Sequence, residues 1–445
     1  MMLKELKAFF NKNDFEYSEG LVDPFKFHKI FFKVLVAFKV GDIEYKENSK
    51  LFHQNVTLFI FGFIATIMAL ISIYHGVDTF DIPHITEAGT YALVLFYKLM
   101  ILYSTKQNLP QYYNLQRAMK DDFYYICTEG AKYRNKFFEN QLLTWKISTF
   151  ACFFTVSIAI GMAIFATCSL LFFLVFHKEG DSGTRPLLFP FWLPNVDFGE
   201  TPYYEIAFVF SNFCAVLYGY NYVFMIQTQI VWIRHITSKV DIIKWRIEDL
   251  LDGIHPATTE EEYKYFSNLI VLRMRSIVFH HQDMLSLVQD YAEVYKKMLL
   301  YEQKFCGPIV CLTAYCTAEK LNEGEFQLIL PLLFVATIVL HFIPSYYCTY
   351  LAEKINLSLS GKKRKKKTKK EKKKKKGNSI CDACWGIPFW NATPAIRPYM
   401  VLLMQRSLRP LPLNAPGFQP ISLQTFSKKM TSAYSFFNML RQTQR

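Results

Sequence analysis

Four long stretches of this chain carry no Asp, Glu, Lys or Arg, and they constrain the fold more than any other feature. They are Val56–Tyr74, Phe150–Phe176, Ile206–Ile233 and Phe326–Leu351, the last containing a titratable His341. About 20 apolar residues make a helix long enough to cross the hydrocarbon layer, so runs of this length predict transmembrane helices rather than core helices. With 445 residues, 51% of them apolar and 17% aromatic, the chain reads as one large integral membrane domain, not several soluble ones. The first 50 residues mix Lys, Phe and acidic side chains. They contain no apolar run ending in a small-residue cleavage site, so no cleavable signal peptide is expected.

Strong spans are predicted over 56–76, 147–177, 203–234 and 326–352, and weaker ones over 85–105, 298–317 and 421–442. The segments between them set the orientation. Residues 1–50 hold nine Lys, loop 106–146 seven basic residues and loop 235–297 eight. Loop 77–84 holds none, loop 178–202 two against four acidic residues, and loop 318–325 one. That alternation follows the positive-inside rule and places residues 1–52 in the cytosol and the C-terminus outside. Parity requires an outward crossing between loop 235–297 and the span at 326–352. Only Met298–Thr317 is available, despite Glu302, Lys304 and a kink expected at Gly307-Pro308. Lys98, near the cytosolic end of the second span, is expected to snorkel to the interface.

Net charge +14 suggests a nucleic-acid partner until it is located. Residues 362–376 carry 13 basic groups and one Glu. Removing their net +12 leaves +2 for the rest of the chain, so the basicity is one tract and not a binding face. No nucleic acid is expected. The tract, Lys362–Lys376 in the cytosolic segment 353–394, reads as a self-repelling loop, or as a site of attraction to anionic inner-leaflet lipid.

The tail poses a different problem. Residues 421–442 are long enough to span a bilayer, about 33 Å at 1.5 Å per residue, yet they are rich in Ser, Thr, Lys, Asn and Gln. One stripe reads Lys428, Ser432, Ser435, Met439, Gln442. The opposite one reads Phe426, Met430, Tyr434 and Phe437, with Leu440 close by. The first suits a water-filled pore and the second suits packing, while a short amphipathic surface helix fits the same pattern.

Seven spans with a cytosolic N-terminus invert the topology of a G-protein-coupled receptor. No extracellular loop holds a Cys for that class's loop disulfide, and the last span lacks Asn-Pro-x-x-Tyr. The sequons at Asn55, Asn356 and Asn391 fall on the cytosolic side or at the inner membrane edge, so no N-glycan is expected.

Three stretches then carry a resemblance: Arg397-Pro-Tyr-Met-Val-Leu-Leu-Met-Gln-Arg-Ser-Leu-Arg-Pro-Leu-Pro-Leu-Asn-Ala415, Pro420-Ile-Ser-Leu-Gln-Thr-Phe426 and Ala433-Tyr-Ser-Phe-Phe-Asn-Met-Leu-Arg-Gln442. Together they resemble the C-terminal signature of insect odorant receptors. The Thr-Tyr, five residues, Gln-Phe pattern usual in the sibling gustatory receptors is absent. The resemblance implies an all-α, seven-transmembrane fold with a cytosolic helical anchor region. It also implies an odorant-gated, non-selective cation channel of four subunits in the plasma membrane of olfactory dendrites. The ending Met-Leu-Arg-Gln-Thr-Gln-Arg lacks the usual co-receptor ending, so the chain looks like a tuning subunit that assembles with the shared odorant co-receptor. The seventh helix is split in the family. Its halves fall here on Ala395–Leu413, within the anchor region 395–420, and on Ile421–Gln442, within 421–445. The hydrophobic gate position falls on Met439 and the constriction beyond it on Gln442 and Thr443, with Ser435 on the same stripe. The poly-Lys tract departs from the family as an insertion.

The family also places a small volatile, largely apolar ligand in the outer half of the membrane. The positions that match are Tyr91 and Leu95 on the second span, and Ser157, Gly161, Met162 and Phe165 on the third. They continue with Tyr204, Phe208, Ser211 and Asn212 on the fourth, and Leu330 and Phe334 on the sixth. No cofactor or metal is expected. Cys381-Asp-Ala-Cys384 is a single pair without two further ligands, so it reads as ordinary cytosolic thiols. His280-His281 reads as a cytosolic surface pair. No Walker A loop, Gly-x-Gly-x-x-Gly or Gly-x-Ser-x-Gly occurs, and an enzyme is not expected. A gustatory receptor of the same fold, or a secondary transporter, is the alternative. Neither internal repeats nor charges at the membrane midplane, which a transporter would favour, are visible.

Overall fold

The computed structural model describes residues 21–38, 40, 49–176, 185–322, 324, 328–355, 380–387, 394–407 and 421–443. Outside the described residues lie the poly-Lys tract, the sequons at Asn356 and Asn391, and positions 408–413 of the expected anchor helix. The described chain is almost entirely α-helical. Two short helices, α1 (Pro24–Phe27) and α2 (Lys29–Ala37), precede the long ones. Then follow α3 (Ser49–Asp78), α4 (Ile82–Gln107), α5 (Leu109–Thr128), α6 (Ala131–Phe176), α7 (Tyr203–Glu248), α8 (Glu260–Asn322) and α9 (Ile329–Ile355). Three complete the series: α10 (Ile380–Gly386), α11 (Arg397–Ser407) and α12 (Leu423–Thr443).

Among the described residues, five helices are long and apolar enough to cross a bilayer: Val56–Asp78 within α3, and α4, α6, α7 and α9. Of the three weaker expected spans, 85–105 falls on α4, and the other two fall on α8 and α12, whose polar side chains dilute their apolar character. At 1.5 Å per residue, the 46-residue α6 and α7 reach about 69 Å and the 63-residue α8 about 95 Å, far beyond a ~30 Å hydrocarbon layer. Most of the segments 106–146 and 235–297, read from the sequence as loops, are therefore helix. A helix has no reason to stop at the membrane border when an amphipathic pattern carries it on. α8 runs unbroken through Gly307 and Pro308, and it packs against α4, α5, α7, α9 and α12.

Outside the apolar blocks, the helical extensions share a buried polar chain. His28 Nε2 meets Gln141 Oε1 at 3.0 Å, and Gln141 Nε2 lies 3.4 Å from His235 Nδ1. His235 Nε2 reaches Asp122 Oδ2 at 2.9 Å, and Lys239 Nζ donates to both Asp122 (2.6 Å) and Asp283 (2.5 Å). Burial works against the Asp122 carboxylate, but the bonds from His235 and Lys239 outweigh it and hold its pKa below the usual value. His28 goes the other way, pushed down to about 4 by burial. α2 ties the N-terminal segment to α7 through Phe31 on Trp232 (5.3 Å between centroids) and Phe38 stacked on Phe224 (3.9 Å).

Three expectations are corrected. Lys98 does not snorkel: it is 2% exposed, lying beside Gly62 of α3, where the missing side chain leaves room for its stem. His281 is buried, not a surface residue, while His280 lies against the Tyr125 ring at 4.7 Å. Tyr434 is 66% exposed. The packed stripe of α12 instead runs Met430, Ala433, Phe437, Leu440, because Ala433 allows the close approach to α8 that Tyr434 would block. All ten Cys are unpaired thiols. Burial pushes the Cys384 thiol up to about 12, which suits an inert core residue better than a metal ligand.

Candidate ligand cavity and pore helix

A narrow, almost wholly apolar cavity lies among α4, α6, α7 and α9. Tyr91 and Val94 come from α4, Thr155, Ile158, Ala159 and Met162 from α6, and Ala215, Gly219 and Tyr222 from α7. Ile329, Leu333, Ala336 and Leu340 come from α9. Small residues shape it: a Cβ placed on Gly219 would stand 2.7 Å from the Ala159 Cβ, so α6 and α7 touch at this level only because position 219 is Gly. Polar groups are few. The Thr155 hydroxyl is spent on the Ala151 carbonyl at 2.9 Å, and the Tyr91 and Tyr222 hydroxyls have no partner among the described residues. The cavity holds about 40 Å³. That is room for a few waters, each needing about 10–15 Å³.

Its roof is a strap from the segment between α6 and α7. Leu188 and Phe189 close the cavity, and Phe189 meets Tyr91 edge-on with ring centroids 4.7 Å apart. The strap is pinned to the C-terminal end of α3 and the N-terminal end of α4. Ser72 Oγ donates to the Pro190 carbonyl (2.6 Å) and accepts from His84 Nε2 (2.9 Å), while Trp192 stacks on His75 at 3.9 Å.

Of the ligand positions expected from the sequence, Tyr91 and Met162 lie on this wall. Leu95 and Leu330 are buried in the helix core. Ser157 is exposed on the outward side of α6, a Cβ placed on Gly161 would stand 3.8 Å from Leu332 Cδ1 of α9, and Phe165 packs half-buried against the core. Tyr204 donates to the Pro186 carbonyl at 2.9 Å and stacks on Phe208 at 5.9 Å. Ser211 and Asn212 both donate to the Phe208 carbonyl, at 3.0 and 2.9 Å. Phe334 faces the other way, against α8 and α12. The stripe named on α7 has the face of the wall but sits above it, since 208 and 211 continue to 215, 219 and 222. On α6 and α9 the wall is one residue round. Sequence reasoning also passed over the strap. Its signal was the apolar run Leu187-Leu188-Phe189-Pro190-Phe191-Trp192-Leu193 inside an otherwise polar segment.

α9 is a shared wall. Leu333, Ala336 and Leu340 face the cavity. Phe334 and Ile338 face a second cluster made by Cys306, Val310, Cys311 and Ala433 with Met430, Phe437 and Leu440. α12 therefore touches the far side of a cavity wall. Its opposite side, with Ser435, Met439 and Gln442, is exposed, and Thr443 ends the helix.

Comparison with known proteins identifies the family and the fold. The 7tm odorant receptor family model matches residues 84–357 and 374–434. This chain belongs to the odorant receptor family. Putative odorant receptor 92a of Drosophila melanogaster is 25% identical over 231 residues, 52% of this chain and 48% of that protein. Odorant receptor 67c of Drosophila melanogaster is 24% identical over 215 residues, 48% of this chain and 45% of that one. The matched region spans about half the length of these relatives. Among solved structures, the insect olfactory receptor OR5 from Machilis hrabei superposes with a TM-score of 0.65 at 14% identity, covering 94% of this chain and 98% of OR5. The same receptor in complex with eugenol gives a TM-score of 0.66. The fold is thus that of an insect olfactory receptor, a multi-pass membrane protein.

Proposed function

We propose that this chain is the odorant-specific subunit of a ligand-gated, non-selective cation channel. In this reading it sits in the plasma membrane of olfactory dendrites with its N-terminus cytosolic and its C-terminus outside, and joins the shared odorant co-receptor in a tetramer. The observation that carries the reading is the double role of α9, with the apolar cavity on one face and α12 on the other. A small volatile enters by burying apolar surface, worth about 6 kcal/mol for roughly 250 Å² at 25 cal/mol per Å² before the costs of binding. The cavity is too small for a ten-atom odorant as it stands, so the ligand favours a state in which α6, α7 and α9 have spread. Only that differential affinity drives gating. Displacing α9 moves the Phe334–Ile338 ridge and with it α12. The ring of Ser435, Met439, Gln442 and Thr443 from neighbouring subunits then widens and wets. The eugenol complex of OR5, an aromatic volatile held by the same fold, supports the ligand class. The cytosolic Lys362–Lys376 tract would add attraction to anionic lipid, about 1 kcal/mol per basic residue near the surface.

The test is co-expression with an odorant co-receptor and current recording against a panel of volatiles. A cation current evoked by at least one volatile is expected. Silence to every volatile, with the chain demonstrably at the cell surface, would sink the proposal.

A further inference from the structure

A groove of about 750 Å³ runs between α8 and α12, separate from the ligand cavity. Its two ends differ chemically. Lys304 of α8 and Lys428 and Lys429 of α12 gather at the end where α12 begins, and Lys429 donates to Gln303 beside them. Farther along, the lining turns apolar, with Leu312 of α8 facing Phe436 and Leu440 of α12. No lining residue is acidic. From position 304 to 312 the helix rises about 12 Å, and from 428 to 440 about 18 Å. Half of a ~30 Å hydrocarbon layer is about 15 Å. Gly307 leaves the α8 side of the groove without a side chain where a chain would pass.

We propose that this groove binds one anionic phospholipid, its phosphate held by Lys304, Lys428 and Lys429 and an acyl chain lying along Leu312, Phe436 and Leu440. The groove's length matches one leaflet, its charge lies at the headgroup end, and its far end is greasy. A second argument comes from the pore. Lys428, Ser432 and Met439 of the pore stripe form one edge of the groove, while Ser435 and Gln442 of the same stripe lie outside it. Cations passing along that stripe would meet Lys428 of each copy of this chain unless a bound anion screened it. The site is distinct from the poly-Lys tract. It rests on α8 and α12 being membrane-embedded, and on the proposed orientation only for naming the leaflet as the inner one.

The test uses the full chain assembled with co-receptor in vesicles of phosphatidylcholine containing a photoactivatable phosphatidylserine, or a photoactivatable phosphatidylcholine of the same acyl chain. Cross-linked peptides are mapped by mass spectrometry. The serine lipid is expected to label the segments 304–312 and 425–440 more strongly than the choline lipid. Lys304→Gln alone should cut that preference about fivefold, as expected for one basic residue near a headgroup. Neutralising Lys362–Lys376 should leave it unchanged, and odorant currents report separately on the functional reading. Three outcomes would overturn the proposal: equal labelling by both lipids, labelling confined to the poly-Lys tract, or cross-links showing a neighbouring subunit's helix in the groove. The comparison of the two lipids on the unmodified protein stands even if a variant fails to fold.

Discussion

Gly219→Ala is the perturbation that best probes how cavity size controls opening. The new Cβ would lie 2.7 Å from the Ala159 Cβ, against a favourable carbon–carbon separation of about 3.5–4.0 Å. Both residues are on the cavity wall and both atoms sit near helix backbone, so no flexible side chain can swing away. Overpacking of this kind costs about 1–3 kcal/mol. The cost falls on the contracted state, because spreading α6 from α7 relieves it. If ligand binding requires that spreading, the substitution pre-empties part of the work and biases the channel toward opening. At 298 K, 1 kcal/mol is about a fivefold change in an equilibrium constant and 3 kcal/mol about 150-fold. Two-electrode recording should show a higher basal current and an odorant concentration–response curve shifted at least about fivefold to lower concentration. Ala159→Gly on the same chain removes the clash and should return both readouts toward wild type. A right-shifted curve with no basal current, or a double variant no closer to wild type than Gly219→Ala, would refute the argument that the cavity must expand.

Other predictions follow from the same geometry. Phe334→Ala removes the ridge between α9 and α12, and should lower the maximal odorant current while leaving direct ligand binding to purified channel nearly unchanged; a loss of binding instead would place Phe334 in the cavity. Met439→Ser should raise leak or alter ion selectivity, read from reversal potentials in ion-substituted solutions. Asp122→Asn leaves Lys239 with Asp283 alone and should lower the melting temperature in fluorescence-detected size exclusion. Breaking a buried pair costs about 3–5 kcal/mol, and the retained Asp283 puts this case at the low end. Acidification from pH 7 toward 5 should also lower the melting temperature. His28 has a folded pKa of about 4 against 6.5 unfolded, so the unfolded chain binds the extra proton and stability falls as pH drops below about 6.5. Asp122, with its pKa lowered, contributes stability above the unfolded carboxylate value and loses it only at more acidic pH. His28→Gln should therefore flatten the pH 7–5 slope, and an unchanged slope would exclude His28 as its source.

The class of fold was legible because burial in lipid leaves a coarse signature. A charge-free block such as Phe150–Phe176 has few alternatives to a membrane helix. Where the pattern weakened, the reading weakened with it. Glu302 diluted the apolar character of α8, yet it is satisfied internally, accepting from Gln229 Nε2 at 3.0 Å in a buried setting. The ends of α6, α7 and α8 were hidden because hydropathy marks where lipid stops, not where helix stops. The cavity wall was harder still. Choosing between positions 157 and 158 on α6, or 334 and 333 on α9, means fixing helix rotation to better than the 100° that separates adjacent residues, and each of those helices has apolar side chains all round. The strap was missed for a different reason: its contacts depend on Ser72, His75 and His84, residues distant in sequence that no local pattern connects to Pro190 and Trp192.

The central claim is that a ligand in the α4–α6–α7–α9 cavity opens a pore lined by the exposed stripe of α12. The most direct measurement is Ser435→Cys, expressed with co-receptor and exposed to a membrane-impermeant, positively charged thiol reagent during odorant application. The account predicts progressive loss of the odorant-evoked cation current, faster with odorant present than absent, and no such loss with Ala433→Cys on the packed side. An odorant current in Ser435→Cys that the reagent leaves untouched, after labelling of the thiol has been verified, would contradict it.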